Sequence, residues 1–303
     1  MGVNFKILSL NCHKRINTKI HLFINLIISQ KIDIALFQET GILTEKTKHI
    51  IQTTYGMSFY ENKGTSISAG VIMILTNKFK SNVHAYDTYD SFGRTQKLVI
   101  DIDSEKFTIV NIYAPATYKP RVQFYRELLP KIDKYQVIIG GDFNCLPNPR
   151  IDKIQANPRP DLNTQANTDQ IELKNYIIQN QLQDIWRIQN PNKLEYTFDN
   201  NRGSKSRIDR FILTKDIDHK STKASILKSD LSDHKPITVT IETRIDHKKS
   251  SWKLNNKLLE NPNIVKDFKL VWKDWQEHKI YMDPHEWWEQ GKIKILHFKR
   301  YLQ

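Results

Sequence analysis

Apolar and polar positions fall into short blocks along the first 243 residues and change character after that. Residues 5–12, FKILSLNC, alternate and predict a strand ending at Asn11. Residues 17–30 place Ile20, Phe23, Ile24, Ile27 and Ile28 on one face, with Asn17 or Thr18 as cap, and predict a helix. DIALFQET (33–40) predicts the next strand, its far end carrying Gln38, Glu39 and Thr40, so the chain starts as a βαβ unit. AGVIMILT (69–76) predicts another apolar strand. QKLVIDID (96–103) and FTIVNIYAP (107–115) predict a hairpin about Ser104-Glu105-Lys106, with Tyr113 closing the second arm. PRVQFYRELLPKID (120–133) predicts an amphipathic helix with Pro120 early in it.

The remainder is organised around VIIGGDFN (137–144). Val137 to Gly140 read as a buried strand, and Gly140 with Gly141 permit a sharp turn at its end. That turn delivers Asp142 and Asn144, two residues apart and so on the same side of an extended chain. The same stretch also suits an Asx turn closing a core strand. The polar segment 145–167, with Pro147, Pro149, Pro158 and Pro160, is too long for an ordinary connection. A helix is predicted over 168–181, a short strand over 195–198, a basic flexible turn over 200–206, and a strand over 207–214 with Asp209 near its start. Within 231–242, a Ser232-Asp233-His234 turn leads into the last strand. After Thr243 come a basic linker (244–251), WKLNNKLLENP (252–262) and helical spacing of Ile264, Phe268, Val271 and Trp275. The final segment holds Trp287, Trp288, Leu296, Phe298 and Tyr301. Helices without intervening strands place a boundary between residues 1–243 and 244–303.

Charge narrows the partner. The net charge is +13 with a pI near 9.5, which favours nucleic acid or an anionic surface. The apolar run within 22–28 is too short to span a bilayer, and Lys6, Lys14 and Arg15 interrupt any secretory signal, so no membrane partner is expected. Cys12 and Cys145 form neither a disulfide framework nor a zinc pattern, and a reducing compartment is the default.

Polar groups stand at five predicted strand ends: Asn11, Glu39, Tyr113, Asp142 with Asn144, and Asp209; Ser232-Asp233-His234 adds a sixth. A carboxylate-rich, cysteine-poor set suits Mg²⁺ or Mn²⁺, which neutralises a phosphate oxygen and stabilises a leaving oxygen. An aspartate can fix the tautomer of a histidine, but Asp233 is too close in sequence to reach His234 easily, so the partner is to be sought elsewhere. Each residue alone has a bland alternative: a solvated Asp-His turn, a packed Tyr113, an ion pair of Asp209 with Arg207 or Arg210, a helix-start Glu39. Their ordered co-occurrence favours a common site.

The set LNC (10–12), QET (38–40), NIYAP (111–115), GGDFN (140–144), YTF (196–198), SRIDRF (206–211) and SDHKP (232–236) resembles the endonuclease/exonuclease/phosphatase superfamily over about residues 4–243. More narrowly, it resembles the apurinic-endonuclease-like nuclease domain of LINE-type, non-LTR retrotransposons. SSWKLNN (250–256) and the Trp-containing region after it are similar to the segment leading to the reverse transcriptase of such elements, so the chain reads as the front of a longer polyprotein. The resemblance implies a four-layer α/β sandwich, DNase I-like, with a helical C-terminal tail. It implies an intracellular, nuclear, Mg²⁺-dependent (or Mn²⁺-dependent) enzyme that nicks DNA, leaves a 3′-hydroxyl and has a reverse transcriptase as partner. By matching motif, Glu39 is the main metal ligand, with Asn11 close by and Asp233 by the metal or polarising the histidine. Asp142 acts on the attacking water or leaving group, Asn144 orients the site, and His234 contacts the phosphate or serves as base. Tyr113 and Thr197 contact the phosphate, Asp209 supports the site, and Ser206 lies near the DNA backbone. Ser232 and the basic residues Arg202, Lys205 and Arg207 complete the expected substrate contacts.

His13 stands where related repair enzymes carry an aspartate, which puts a second metal position in doubt. Rival readings are a repair nuclease of the same fold, a lipid phosphatase and a decayed, DNA-binding copy. The phosphatases usually carry a Trp-Cys-Asp-Arg-like sequence where this chain has SRIDR (206–210).

Overall fold

The apolar blocks form strands whose two faces are both buried, because two sheets pack together and helices cover each outer face. The computed structural model describes residues 3–65, 69–129, 136–154, 167–200, 202–218, 222–243 and 261–277, with 279, 284, 287, 288 and 291. The chain divides into two compact units, Met1–Ile245 and Asp246–Gln303.

In the first unit, β1 (Asn4–Asn11) lies parallel to β2 (Ile34–Gln38), joined through α1 (Ile16–Ser29). α2 (Glu45–His49) precedes the hairpin β3 (Ser58–Asn62) and β4 (Val71–Leu75). β5 (Val83–Asp87), β6 (Thr95–Ile102) and β7 (Glu105–Tyr113) form a meander. α3 (Tyr118–Gln123) leads to β8 (Gln136–Asp142), parallel to β7. α4 (Pro149–Asp152), β9 (Lys153–Ile154), α5 (Thr168–Gln179), β10 (Leu182–Asp184) and α6 (Ile185–Gln189) follow. The unit ends with β11 (Phe198–Asp199), β12 (Lys205–Ser206), β13 (Asp209–Thr214), α7 (Lys215–Asp218), β14 (Thr222–Ile226) and β15 (Ile237–Glu242).

One sheet has the order β14-β15-β1-β2-β4-β3 and the other β10-β13-β8-β7-β6-β5; β11-β12-β9 form a small third sheet. Alternate residues of each strand serve the two faces. Phe5, Ile7, Leu36 and Met73 of the first sheet share the inter-sheet core with Ile100, Phe107, Ile138 and Phe211 of the second. Leu8, Leu10, Phe37 and Ile72 face outward against Ile20, Phe23, Ile24 and Ile27 of α1. Val110, Ile112, Ile139 and Ile212 pack with Phe124, Tyr125 and Leu173 on the other outer face. The result is a four-layer α/β sandwich. A Cβ on Gly140 would meet the Phe211 ring and Leu36, so glycine lets the sheets close tightly just before the strand's end.

Several elements differ from the pattern-based expectation. α1 is preceded by Arg15 with no side-chain cap; Asn17 instead bonds Ile42 and Thr44. The β6–β7 hairpin turns at Asp103-Ser104, both with positive φ, one step earlier than Ser104-Glu105-Lys106. The helix expected over 120–133 starts at Tyr118 and passes into a π-turn at Phe124–Leu128; residues 130–135 lie outside the described ones. The strands expected over 195–198 and 207–214 shorten to Phe198–Asp199 and Asp209–Thr214. β3, β5 and β14 are absent from the pattern-based expectation, because edge strands with half-exposed faces lack a strong apolar pattern. Residues 155–166 of the proline-containing segment, the linker 244–251 and Leu296, Phe298 and Tyr301 lie outside the described residues.

The second unit contains α8 (Pro262–Glu277). Trp275 is buried there, stacked on Trp287 at 4.2 Å, and the two residues exchange indole N–H to carbonyl bonds of 3.2 and 3.1 Å. Among the described residues, no helix is long and apolar enough to cross a membrane.

Candidate active site

The ends of β1 and β2 in one sheet meet the ends of β7, β8 and β13 in the other. Register places Asp142 opposite Tyr113 of β7 and opposite Asp209 of β13. From the other sheet, buried Asn11 closes β1, and Glu39 follows β2 with a positive φ of 54°. That conformation is uncommon outside glycine. Backbone bonds hold it on both sides: Cys12 N–H donates to Gln38 O at 2.9 Å, and Lys14 N–H to Glu39 O at 2.9 Å.

One hydrogen-bonded set joins these ends. The Asn11 amide donates to Glu39 Oε1 at 3.1 Å and to Asp142 Oδ2 at 3.0 Å. The Tyr113 hydroxyl donates to Glu39 Oε1 at 2.8 Å. Asn144, also at positive φ (46°), donates its backbone N–H to Asp142 Oδ1 at 2.8 Å and its side chain to Ala114 O at 2.9 Å.

His234 receives its orientation from Asp209, which is the partner that Asp233 could not be. Nδ1 lies 2.9 and 3.1 Å from the two Asp209 oxygens, and since the carboxylate only accepts, Nδ1 donates. The Phe198 ring packs 4.8 Å from the imidazole. Burial pulls the His234 pKa down, but the facing Asp209 carboxylate outweighs this and pushes it up to about 10, with Asp142 adding to the effect. Asp142 is pushed up to about 7, mainly by burial and then by Asp209; His234, the Asn11 amide and the Asn144 N–H oppose the rise. Burial and Glu39 push the Tyr113 hydroxyl upward, so it remains a donor.

The expected substrate contacts fare unevenly. Arg207 is a correction: it is 2% exposed and bonds Asp152 (Nε, 2.8 Å) and Asp184 (Nη2, 2.7 Å), so it is core rather than DNA-facing. Buried Arg210 lies in the same cluster, donating to Cys145 O at 3.0 Å. Thr197 is the second correction. Fully buried, its hydroxyl accepts the backbone N–H groups of Ile208 and Asp209 at 3.1 Å each, fixing the start of β13 instead of touching a phosphate. Ser232 Oγ donates to Asp233 Oδ1 at 3.0 Å and accepts the His234 N–H at 3.3 Å, shaping its own turn. Asp233 Oδ1 lies 3.3 Å from His13 Nδ1, at the margin of the site. Ser206 sits in β12, paired with Phe198 and Lys153. Arg202 and Lys205 are exposed, Lys205 pairing with Asp199 at 3.0 Å.

Sequence reasoning missed a buried amide cluster under the site, formed by Ser9, Gln38, Gln96 and Asn111. Its only signal is three amides and a hydroxyl inside otherwise apolar strands. It also missed Arg94, whose guanidinium lies 5.2 Å from the Tyr113 ring.

Donor atoms of Asp142, Asp209 and His234 lie within 4.8 Å of one another. Among the described residues, neither Glu39 nor Asp142 has a Lys or Arg ion pair, and the two carboxylates converge on the Asn11 amide. That donor chemistry fits a hard divalent ion.

Comparison with known proteins identifies the family and the fold. The profile of the Endonuclease/Exonuclease/phosphatase family matches residues 8–234. The transposon TX1 uncharacterized 149 kDa protein of Xenopus laevis is 27% identical over 273 residues, covering 86% of this chain and 20% of that protein. The chain therefore spans about a fifth of that relative's length. The crystal structure of AP endonuclease LMAP from Leishmania major is similar in fold, with TM-score 0.64 and 15% identity over 80% of this chain and 88% of that one. So is the 3′ phosphatase NExo from Neisseria, bound to a product DNA hairpin, with TM-score 0.61 and 16% identity over 78% of this chain and 98% of that one.

Proposed function

The chain belongs to the endonuclease/exonuclease/phosphatase family and is a phosphodiesterase; within that family, we propose that it is a divalent-metal-dependent DNA endonuclease. It nicks one strand, leaves a 3′-hydroxyl, and acts in the nucleus to prime reverse transcription at the target site of a LINE-type element. The observation that carries the hydrolytic reading is the inter-sheet set Asn11–Glu39–Tyr113–Asp142 facing the His234–Asp209 pair. The likeness to a transposon protein and the +13 charge support the DNA target and the element's role.

Glu39 and Asp142 would hold Mg²⁺ or Mn²⁺ beside Asn11, and the ion supplies neutralisation of phosphate and leaving-oxygen charge. The side chains divide the remaining work. Asp209 holds His234 as imidazolium through Nδ1, leaving Nε2–H to donate to a non-bridging phosphate oxygen as negative charge builds. Asp142 would accept a proton from the attacking water, its carboxylate lying beside the Asn11 amide. Asn144 fixes that carboxylate through its backbone N–H. The protonated Tyr113 hydroxyl orients Glu39.

The test is conversion of supercoiled to nicked plasmid with Mg²⁺, with Mn²⁺ and with EDTA, using Asp142→Asn as control. Metal-dependent nicks that a DNA polymerase extends directly support the reading; absence of nicking by the wild-type chain with either ion refutes it. Cutting many-fold faster at an abasic site than in undamaged plasmid replaces it with a repair endonuclease.

A further inference from the structure

The core between packed sheets is ordinarily apolar, but here its layer beneath the site is polar. Ser9, Gln38, Gln96 and Asn111 are each 0% exposed. Gln38 Nε2 donates to Ser9 Oγ at 3.0 Å and, across the sheets, to Asn111 Oδ1 at 2.7 Å. Asn111 Nδ2 reaches back to Phe37 O and Ile72 O of the first sheet, both at 3.1 Å, and to Gln96 Oε1 at 3.2 Å. Burying four such groups is costly unless they bond one another; Gln38 Oε1 is left without a partner, and the remaining bonds hold the amides in one arrangement.

Its position in the chain ties it to the chemistry. Gln38 immediately precedes Glu39, whose backbone is held at φ 54°. Asn111 is two residues before Tyr113, on the strand paired with the one bearing Asp142. The Glu39 carboxylate comes from one sheet and Asp142 with Tyr113 from the other, so the gap between sheets sets their separation. Directional hydrogen bonds from the Asn111 amide to two carbonyls of the other sheet, and from the Gln38 amide to Asn111 Oδ1, fix how the two sheets meet at this point.

We propose that Gln38 and Asn111 are positioning residues: their inter-sheet amide bridge sets the spacing of the carboxylates that hold the divalent ion, and so its affinity. This rests on the metal-dependent reading above.

The experiment measures Mn²⁺ binding to the full chain without DNA by electron paramagnetic resonance, beside unfolding midpoints and nicking kinetics. The variants are Gln38→Met and Asn111→Leu, which keep approximate size and remove the bridge, with Gln96→Met as a network member remote from Glu39. Gln38→Met and Asn111→Leu are expected to weaken Mn²⁺ binding roughly 10–100-fold, as removing the partners behind metal ligands typically does. KM for DNA stays within about twofold, since neither residue is exposed to substrate. Gln96→Met lowers the unfolding midpoint but leaves Mn²⁺ affinity unchanged. Unchanged affinity in folded Gln38→Met and Asn111→Leu overturns the proposal, as does a loss in all three variants that simply follows their loss of stability. If Asn111→Leu does not fold, Gln38→Met with Ser9→Ala carries the same comparison. A wild-type chain that binds no Mn²⁺ refutes the metal-dependent reading itself, a result distinguishable from a wild type that binds and variants that do too.

Discussion

Replacing Asp209 by asparagine isolates the charge that holds His234. The change is nearly isosteric, so Thr197 still anchors the backbone of residue 209. What is lost is the carboxylate 2.9 Å from Nδ1. The span from 6.5 to about 10 corresponds, at about 1.36 kcal/mol per pH unit, to about 5 kcal/mol of preference for the imidazolium. Because the folded-state pKa is raised, this stabilisation is fully present below pH 6.5 and is lost as pH rises through about 10. At pH 7 about 4 kcal/mol of it remains. In Asp209→Asn only the burial effect and the more distant carboxylates act, so His234 titrates below its wild-type value and the chain loses about 3–4 kcal/mol of stability at pH 7. The assay pairs an NMR titration of the ¹⁵N-labelled imidazole in the metal-free protein with urea midpoints from pH 6 to 10. The difference between wild type and variant should shrink toward pH 10. A wild-type His234 titrating near 6.5, or a pH-independent difference, would refute the assignment of Asp209 as its counter-charge.

Arg207→Met should lower stability by about 1–3 kcal/mol, less than a fully unpaired buried charge would cost, because Arg187 and Arg210 still face Asp152 and Arg210 still faces Asp184, while the salt slope of DNA binding measured on any folded fraction stays unchanged. Arg202→Ala and Lys205→Ala should instead leave the unfolding free energy within about 0.5 kcal/mol and reduce the log–log salt slope by about 0.9 for each phosphate no longer neutralised. Thr197→Val orphans two buried N–H groups and should cost about 2–4 kcal/mol, lowering kcat through misplacement of Asp209 with KM for DNA little changed. A chain ending at Ile245 should nick plasmid at the full-length rate, and an insoluble or inactive product would place part of the second unit in the nuclease core.

Local patterning determined a good deal about this protein. The alternating block at 5–12 and the near-continuous apolar blocks at 33–40, 69–76 and 137–144 are strands because their apolar residues are satisfied only by burial in the sheets. Glycine at 140 and 141 and polar residues at strand ends also mark the side of the sandwich where chemistry gathers. Pairing across the structure was decided elsewhere. Nothing within SRIDRF distinguishes Arg207, sealed against Asp152 and Asp184, from an exposed arginine in the same basic turn. Likewise, the carboxylate serving His234 lies 25 positions away in sequence, and the hydroxyl of Thr197 bonds backbone rather than substrate. The short polar-edged strands β3, β5 and β14 form because a neighbouring strand offers free backbone groups, an effect absent from their own residues. Burial and hydrogen-bond partners are properties of the assembled sheets: the same aspartate is a solvated turn residue or the charge that keeps an imidazole protonated, depending on what the other sheet brings within about 3 Å.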